Sequence, residues 1–231
     1  MERAVITWRG MGSGARRLIA VGVYAFIFGV AFGIAARNVG MAGWAATLMS
    51  ATVFAGGSQF AVLELWQSPV AWGPLLIATL AVNGRHFLLG ASLYPWLRSL
   101  PAWQIYLAAV LLSEPNWARA IEAQARGERD VGVLVGGGIL LWVAWVAGTV
   151  AGAGFIDLSP EHFRRFGLDL VFLAFLSCML TGLRRGRADD LAWLAAGLTA
   201  LAAMAVLPPG WHILAGAVAG GVVGVVVDAR R

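Results

Sequence analysis

The sequence contains no lysine and a single cysteine, Cys178, and only 13% of its 231 residues are charged. One cysteine excludes an internal disulfide and leaves no cysteine-based metal site. Soluble domains carry about 25% charged residues. A soluble globule of this size would therefore have too few charges to cover its surface.

Apolar residues take the place of the missing charges. They make up 60% of the chain, against about 45–50% in soluble domains, and the mean hydropathy is +0.77. Every backbone polar group must be satisfied within the bilayer, which favours helices. The composition therefore predicts an all-α fold, a polytopic transmembrane helical bundle that forms one integral membrane domain over residues 1–231.

Eight spans are predicted from the apolar runs, and seven is the alternative if the second is re-entrant. The second is expected to be broken at Gly56–Gly57, because glycines weaken a helix. The fourth is expected to be kinked by Pro115, and Pro95 is expected to help close the third. The approximate spans are 18–36, 42–66, 71–94, 103–121, 131–153, 167–183, 191–207 and 211–227.

Glycines also recur at every fourth position in three of these spans. Such GxxxG steps allow two helices to approach closely. We therefore expect tight internal packing, with a docking face for a partner as the alternative, at three groups of glycines, which are Gly29 and Gly33, Gly148 and Gly152, and Gly216, Gly220 and Gly224.

The net charge of +5 comes entirely from arginines that cluster at the ends of apolar runs. This distribution indicates orientation in a membrane rather than binding to nucleic acid. With the N-terminus inside, twelve arginines fall on the inner side and four on the outer side, the latter being Arg37, Arg98, Arg164 and Arg165. The pattern predicts that both termini are cytoplasmic.

Polar residues within the second and third spans are costly at membrane depth, where a charge costs roughly 2.5–3.5 kcal/mol on insertion scales. We expect them to line a polar cavity or binding site. The candidate binding residues are Ser50, Gly56, Gly57, Ser58, Gln59, Asn83, Arg85 and His86. Asn83 and His86 are three residues apart and are expected to share a helical face.

The residues in and around these spans resemble the AzlC family, the large subunits of bacterial branched-chain amino acid exporters. The resemblance covers most of the chain, from about Leu18 to Val227. Glu114 stands where the family often has two acids, and Gly84 stands where it usually has leucine. The matching residues are Met49–Ser50, Val53–Gly56, Ser58–Phe60, Val82–Asn83, Arg85–His86, Gly90–Ser92, Pro95, Trp142, Gly148–Thr149, Gly152 and Gly167–Asp169.

The resemblance implies secondary export of leucine, isoleucine, valine or related neutral amino acids such as methionine across the bacterial cytoplasmic (inner) membrane. It also implies a small AzlD-type membrane partner. The sequence lacks the GxxxxGK[ST] phosphate-binding loop, which agrees with transport that ATP does not drive. We expect no cofactor, no metal ion and no enzymatic activity.

An amino acid zwitterion needs a cation or helix N-terminus for its carboxylate, and carbonyls or a carboxylate for its ammonium group. Arg85 is expected either to hold the substrate carboxylate or to balance Glu114. Glu114 and Asp169 are candidate proton carriers, because a desolvated carboxylate can titrate near neutral pH. The apolar side of the pocket is assigned to Phe54, Phe60 and Phe87.

Three other classes remain open at this point. A passive channel would show unsaturable flux, and a structural membrane subunit would tolerate changes at the polar residues. An intramembrane serine protease would need Ser92 of the Gly90-Ala91-Ser92 sequence beside one of the histidines His86, His162 and His212.

Overall fold

The computed structural model describes residues 4–66, 72–154, 186–207 and 211–228, with six further single residues, Glu161, Arg165, Gly167, Leu170, Ser177 and Arg184. Over these residues the chain is helical, and its only β feature is the isolated bridge between Val5 and Asp130. The all-α prediction is therefore confirmed. The chain divides into two compact units, one of residues 1–56 and 84–166 and one of residues 57–83 and 167–231.

The helices of the first unit are α1 Trp8–Arg17, α2 Ile19–Asn38, α3 Gly43–Val53, α6 Arg85–Leu97, α7 Ala102–Val110, α8 Glu114–Ala125 and α9 Gly132–Gly154. Those of the second unit are α4 Gly56–Glu64, α5 Trp72–Asn83, α10 Arg187–Met204 and α11 Trp211–Asp228. Gly56, the first residue of α4, belongs to the first unit.

The core of the first unit is the packing of α2 along α9. These helices match the predicted first and fifth spans to within two residues. A Cβ added to Gly148 would lie 2.1 Å from the carbonyl oxygen of Phe26, and one added to Gly29 would lie 2.5 Å from that of Trp145. The backbones therefore touch, and the close approach predicted from the GxxxG pairs is confirmed.

The same contact continues through α1, a helix that the sequence interpretation treated only as a basic N-terminal segment. Gly14 of α1 packs against the backbone of Val133 in α9. Thr7 caps α1 by accepting a hydrogen bond from Gly10 N, and the Asp130 carboxylate accepts hydrogen bonds from the Thr7 hydroxyl and from Gly132 N. One carboxylate thus joins the starts of α1 and α9.

The α7–α8 segment folds back on itself, and the predicted single fourth span with a kink at Pro115 is wrong. Residues 111–113 separate the two helices, and Pro115 lies in the first turn of α8, where its missing N–H would have no helical partner in any case. Ala4 N donates to Ser99 Oγ at 2.9 Å, and Val5 N donates to Arg129 O at 3.1 Å. The segment therefore begins and ends at the same place.

The predicted third span is also divided. Gly84 separates α5 from α6 but keeps right-handed helical dihedral angles, φ −52° and ψ −31°. A shared face of Asn83 and His86 stays a prediction. Pro95 lies inside α6, which ends at Leu97, and does not close the span as predicted.

In the second unit, α10 packs against α11, and α11 also contacts α5. A Cβ on Gly216 would lie 2.8 Å from Ala196 O, and one on Gly220 would lie 2.8 Å from Ala196 Cβ. The glycine spacing in the last span therefore predicted this contact correctly. Most of the predicted sixth span, 167–183, and its acid Asp169 lie outside the described residues.

Two of the described helices, α2 and α9, are long and apolar enough to cross a membrane. The exposed aromatic residues of the first unit include Trp44, Phe87, Trp103 and Tyr106. Large exposed apolar patches are rare on soluble monomers and mark surfaces that contact a membrane or another protein.

We predict that Gly148→Ala lowers the melting temperature of the purified protein, because the new methyl group overlaps Phe26 O. Overpacking of this kind costs about 1–3 kcal/mol. Gly197→Ala in α10 is the matched control, since a Cβ there meets no atom within 4 Å. A melting temperature that is unchanged in Gly148→Ala would contradict the backbone contact.

Candidate functional site

Three helix breaks bring helix N-termini to the polar residues singled out from the sequence. They lie at Phe54–Ala55, at Gly84 and at residues 111–113, and they are followed by α4, α6 and α8. A helix N-terminus presents unpaired N–H groups and a partial positive charge, and it favours anions such as a carboxylate.

The first break differs from the prediction. The backbone turns at Phe54, which has φ 46° and ψ 43°, and Gly56–Gly57 begins the next helix instead of opening the chain. Phe54 is the one residue other than glycine with positive φ in the described part of the chain. Left-handed backbone costs a side chain with a Cβ roughly 1–2 kcal/mol, so this break is held by its surroundings.

Those surroundings are aromatic residues of α2 and α9. A Cβ on Gly56 would lie 3.3 Å from the Phe28 ring and 3.1 Å from the Trp145 ring. The two rings pack edge to face, with centroids 5.4 Å apart. Trp142 Nε1 also donates to Ala51 O at 2.9 Å, near the end of α3.

Ser50, a predicted binding residue, is fully buried between α3 and α9. Its hydroxyl is 2.8 Å from that of Thr149, which also donates to Trp145 O at 3.0 Å. This hydrogen bond fixes α3 against α9, and a contact between Ser50 and substrate stays a prediction.

In the second unit, the structure brings two predicted binding residues together. Asn83 Nδ2, at the end of α5, donates to Ser58 Oγ, in the first turn of α4, at 3.1 Å. Ser58 and Gln59 are buried, as are Gly57 and Phe60. Buried polar groups are nearly always hydrogen-bonded. The bond between Asn83 and Ser58 therefore offsets part of the cost of burying these groups in the second unit.

In the first unit, the structure pairs Arg85 with Glu114, as the sequence interpretation proposed. Arg85 Nη2 lies 2.8 Å from Glu114 Oε1, as a charge contact rather than an aligned hydrogen bond. The two side chains are 28% and 32% exposed. Each stands at the first residue of its helix, so the second and third breaks meet at this ion pair.

Asn116 was not among the predicted site residues, and the structure shows that it holds the third break. It is fully buried, and its Nδ2 donates to Leu111 O at 3.2 Å and to Leu134 O at 2.8 Å. Leu111 follows the last residue of α7, where helical carbonyls lose their partners. The available sequence signal was an asparagine directly after Pro115 within an apolar stretch.

Two breaks can be located along α9. Gly56 lies beside Trp145, and Leu111 O lies beside Gly138, where a Cβ would be 2.6 Å away. At 1.5 Å per residue, these positions are roughly 20 Å and 9 Å from the start of α9. Both breaks therefore lie along the inner part of an apolar helix rather than beyond its ends.

The structure gives weaker support for a role in the site to three further candidate residues, His86, Phe87 and Asp169. His86 is half-buried next to Arg85. Phe87 is 82% exposed and so lies on the surface of the structure. Asp169 lies outside the described residues.

Comparison with known proteins gives one family. The family model for AzlC protein matches residues 20–158, which is more than half of the chain. The chain is also similar to the inner membrane protein YgaZ of Escherichia coli (strain K12), with 28% identity over 197 residues that cover 82% of this chain and 79% of that protein. No solved structure matches the chain.

We predict that Arg85 and Glu114 are energetically coupled. Arg85→Gln and Glu114→Gln should each lower the melting temperature, because each leaves a partly buried charge without its partner. The double variant should lose less unfolding free energy than the two single variants lose together, and the difference, the coupling energy, should be about 1 kcal/mol. The control is the exposed pair Arg119–Glu122 on α8, whose side chains are 47% and 50% exposed. Additive losses at Arg85 and Glu114 would contradict the pairing.

A second prediction concerns the left-handed residue. Phe54→Asn should melt higher than Phe54→Val by the equivalent of about 1 kcal/mol, because asparagine tolerates left-handed backbone and valine does not. Thr52, an exposed residue in α3, serves as the control position, where valine should be no worse than asparagine. Equal stability of the two Phe54 variants would argue against a left-handed turn.

Proposed function

Because the chain belongs to the AzlC family, we propose that it is a secondary transporter that exports leucine, isoleucine, valine or related neutral amino acids, with methionine as a further candidate. It acts in the bacterial cytoplasmic membrane with a small AzlD-type partner, and it needs no cofactor. It crosses the membrane several times, and both termini are cytoplasmic. Family and relative together indicate a role related to membrane transport.

The observation that carries this proposal is the Arg85–Glu114 ion pair at the starts of two interrupted helices. Interrupted helices whose N-termini face an anionic substrate group are a recurrent way to build transporter sites. An arginine there can bind a carboxylate, and a neighbouring acid can accept the proton or hold the substrate ammonium group.

Placement in the membrane is supported by α2 and α9, which are long enough to cross it, and by the relative that is an inner membrane protein. An ionisable pair within such a chain is by default a functional-site hypothesis. Within the second unit, the hydrogen-bonded residues Asn83 and Ser58 are kept as proposed substrate-binding residues.

The competing protease reading gains no support from the geometry of Ser92. Its hydroxyl donates to Leu89 O at 2.7 Å and accepts a hydrogen bond from Trp117 Nε1 at 2.8 Å. Neither partner is a base that could take the proton of a nucleophilic serine. We therefore keep transport without enzymatic activity as the proposal.

The test is counterflow of labelled leucine in proteoliposomes, with the chain alone and with an AzlD-type partner. We expect saturable leucine exchange that isoleucine, valine or methionine inhibits by competition. Arg85→Gln and Asn83→Ala should each reduce this exchange about tenfold or more, because each removes one charged or buried polar contact.

Arg119→Gln is the matched control, because it also removes an arginine from an ion pair, but one with Glu122 that lies exposed on α8. It should leave exchange unchanged. Unsaturable flux would favour a channel, and no exchange by a folded chain with its partner would reject the amino acid substrate.

A further inference from the structure

Both ends of the segment that contains α7 and α8 lie at one end of the first unit. The adjacent residues Ala4 and Val5 are hydrogen-bonded to Ser99, before α7, and to Arg129, after α8. Trp96 Nε1 donates to Glu128 O at 2.8 Å, which joins the same two regions. The segment therefore enters and leaves the helical packing at one place.

Neither helix of this hairpin is long enough to cross a bilayer. α7 has 9 residues and α8 has 12, which corresponds to about 13 Å and 18 Å, against about 30 Å of hydrocarbon. The turn at residues 111–113 lies beside Gly138 of α9, roughly 9 Å from the start of a helix that can cross.

Arginines identify the side from which the hairpin enters. In the first unit, the described arginines in the segments at this end are Arg9, Arg16, Arg17, Arg98, Arg126 and Arg129, whereas Arg37 lies in the last turn of α2, at the other end. The other described arginines of this unit, which are Arg85 in α6, Arg119 in α8 and the single described residue Arg165, are not counted for either end. Arg98 was predicted to lie outside, but its neighbour Ser99 is bonded to Ala4. The positive-inside rule assigns this end to the cytoplasm.

We propose that α7–α8 is a re-entrant hairpin that enters the membrane from the cytoplasm, and that Asn116 is the positioning residue that holds its tip and so sets Glu114 against Arg85. The role of Asn116 in transport rests on the proposed function, whereas the re-entrant path does not.

The physical reason is the cost of non-helical backbone at membrane depth, where water cannot satisfy it. Asn116 Nδ2 supplies one donor to the carbonyl that ends α7 and one to Leu134 O in α9. It thereby ties the tip to α9 two residues from Glu114. Ser113 Oγ and Asn116 Oδ1 are buried and have no hydrogen-bond partner among the described residues.

The first test is side-specific labelling with a membrane-impermeant maleimide in a Cys178→Ser background. Single cysteines replace Ala102 and Ala125, which are exposed at the two ends of the hairpin, and Asn38, which is exposed at the far end of α2. We expect Ala102→Cys and Ala125→Cys to react only from the cytoplasmic side, and Asn38→Cys only from the opposite side. Reaction of Ala102→Cys and Ala125→Cys from opposite sides would overturn the re-entrant path, whatever the substrate is.

The second test uses Asn116→Asp, which keeps the shape of the side chain. An ionised carboxylate cannot donate to Leu111 O and Leu134 O, but a protonated one can donate once, and burial favours the protonated form. Leucine exchange by Asn116→Asp should fall about tenfold or more at about pH 7.5 and recover as the pH is lowered towards about 5.5. Asn116→Leu should show no such recovery.

A wild-type pH profile in Asn116→Asp, or equal recovery in Asn116→Leu, would overturn the positioning role. If the wild-type chain exchanges no leucine, the proposed function fails while the labelling result still decides the re-entrant path. Detergent-extracted Asn116→Asp should elute as the wild-type chain does, which shows that a transport defect is not misfolding.

Discussion

Backbone touches backbone where α1 and α2 lie along α9, and the rest of the first unit is fixed by that contact. Glycines such as Gly14, Gly29 and Gly148 leave no room for a Cβ. Helices in a membrane gain little from burying apolar side chains, so packing and close backbone approach must hold them together. Because α1 and α2 occupy this side of α9, the interrupted helices α3, α7 and α8 pack against its other faces.

A few side chains that belong to α9 or pack against it stabilise the helix interruptions. Trp145 and Phe28 surround the start of α4, and Asn116 ties the α7–α8 turn to Leu134. The divisions between the two compact units fall at Gly56–Gly57 and Asn83–Gly84, which are also places where helices are interrupted. The polar residues proposed to bind the substrate thus lie close to helix interruptions, as in other transporter sites built from interrupted helices.

Composition was sufficient to predict the helical fold, and the apolar runs were sufficient to predict α2 and α9. Glycine spacing predicted that helices pack closely at these glycines, but not that α2 packs against α9. The Arg85–Glu114 pair could also be proposed, since a charge in an apolar run requires a partner. The turn at Phe54 could not, because nothing local favours left-handed backbone at a phenylalanine. Nor could the fold-back of α7 and α8, because residues 103–121 have the length of one span and nothing local marks the reversal of the chain at residues 111–113.

Substrate recognition is proposed to depend on the Arg85–Glu114 ion pair at the starts of α6 and α8. The most direct measurement is the Kd of leucine for the purified chain with its partner. We expect Arg85→Gln to weaken leucine binding about tenfold or more and Arg119→Gln to leave it unchanged. Equal leucine binding by the wild-type and Arg85→Gln proteins would contradict a substrate contact at this ion pair.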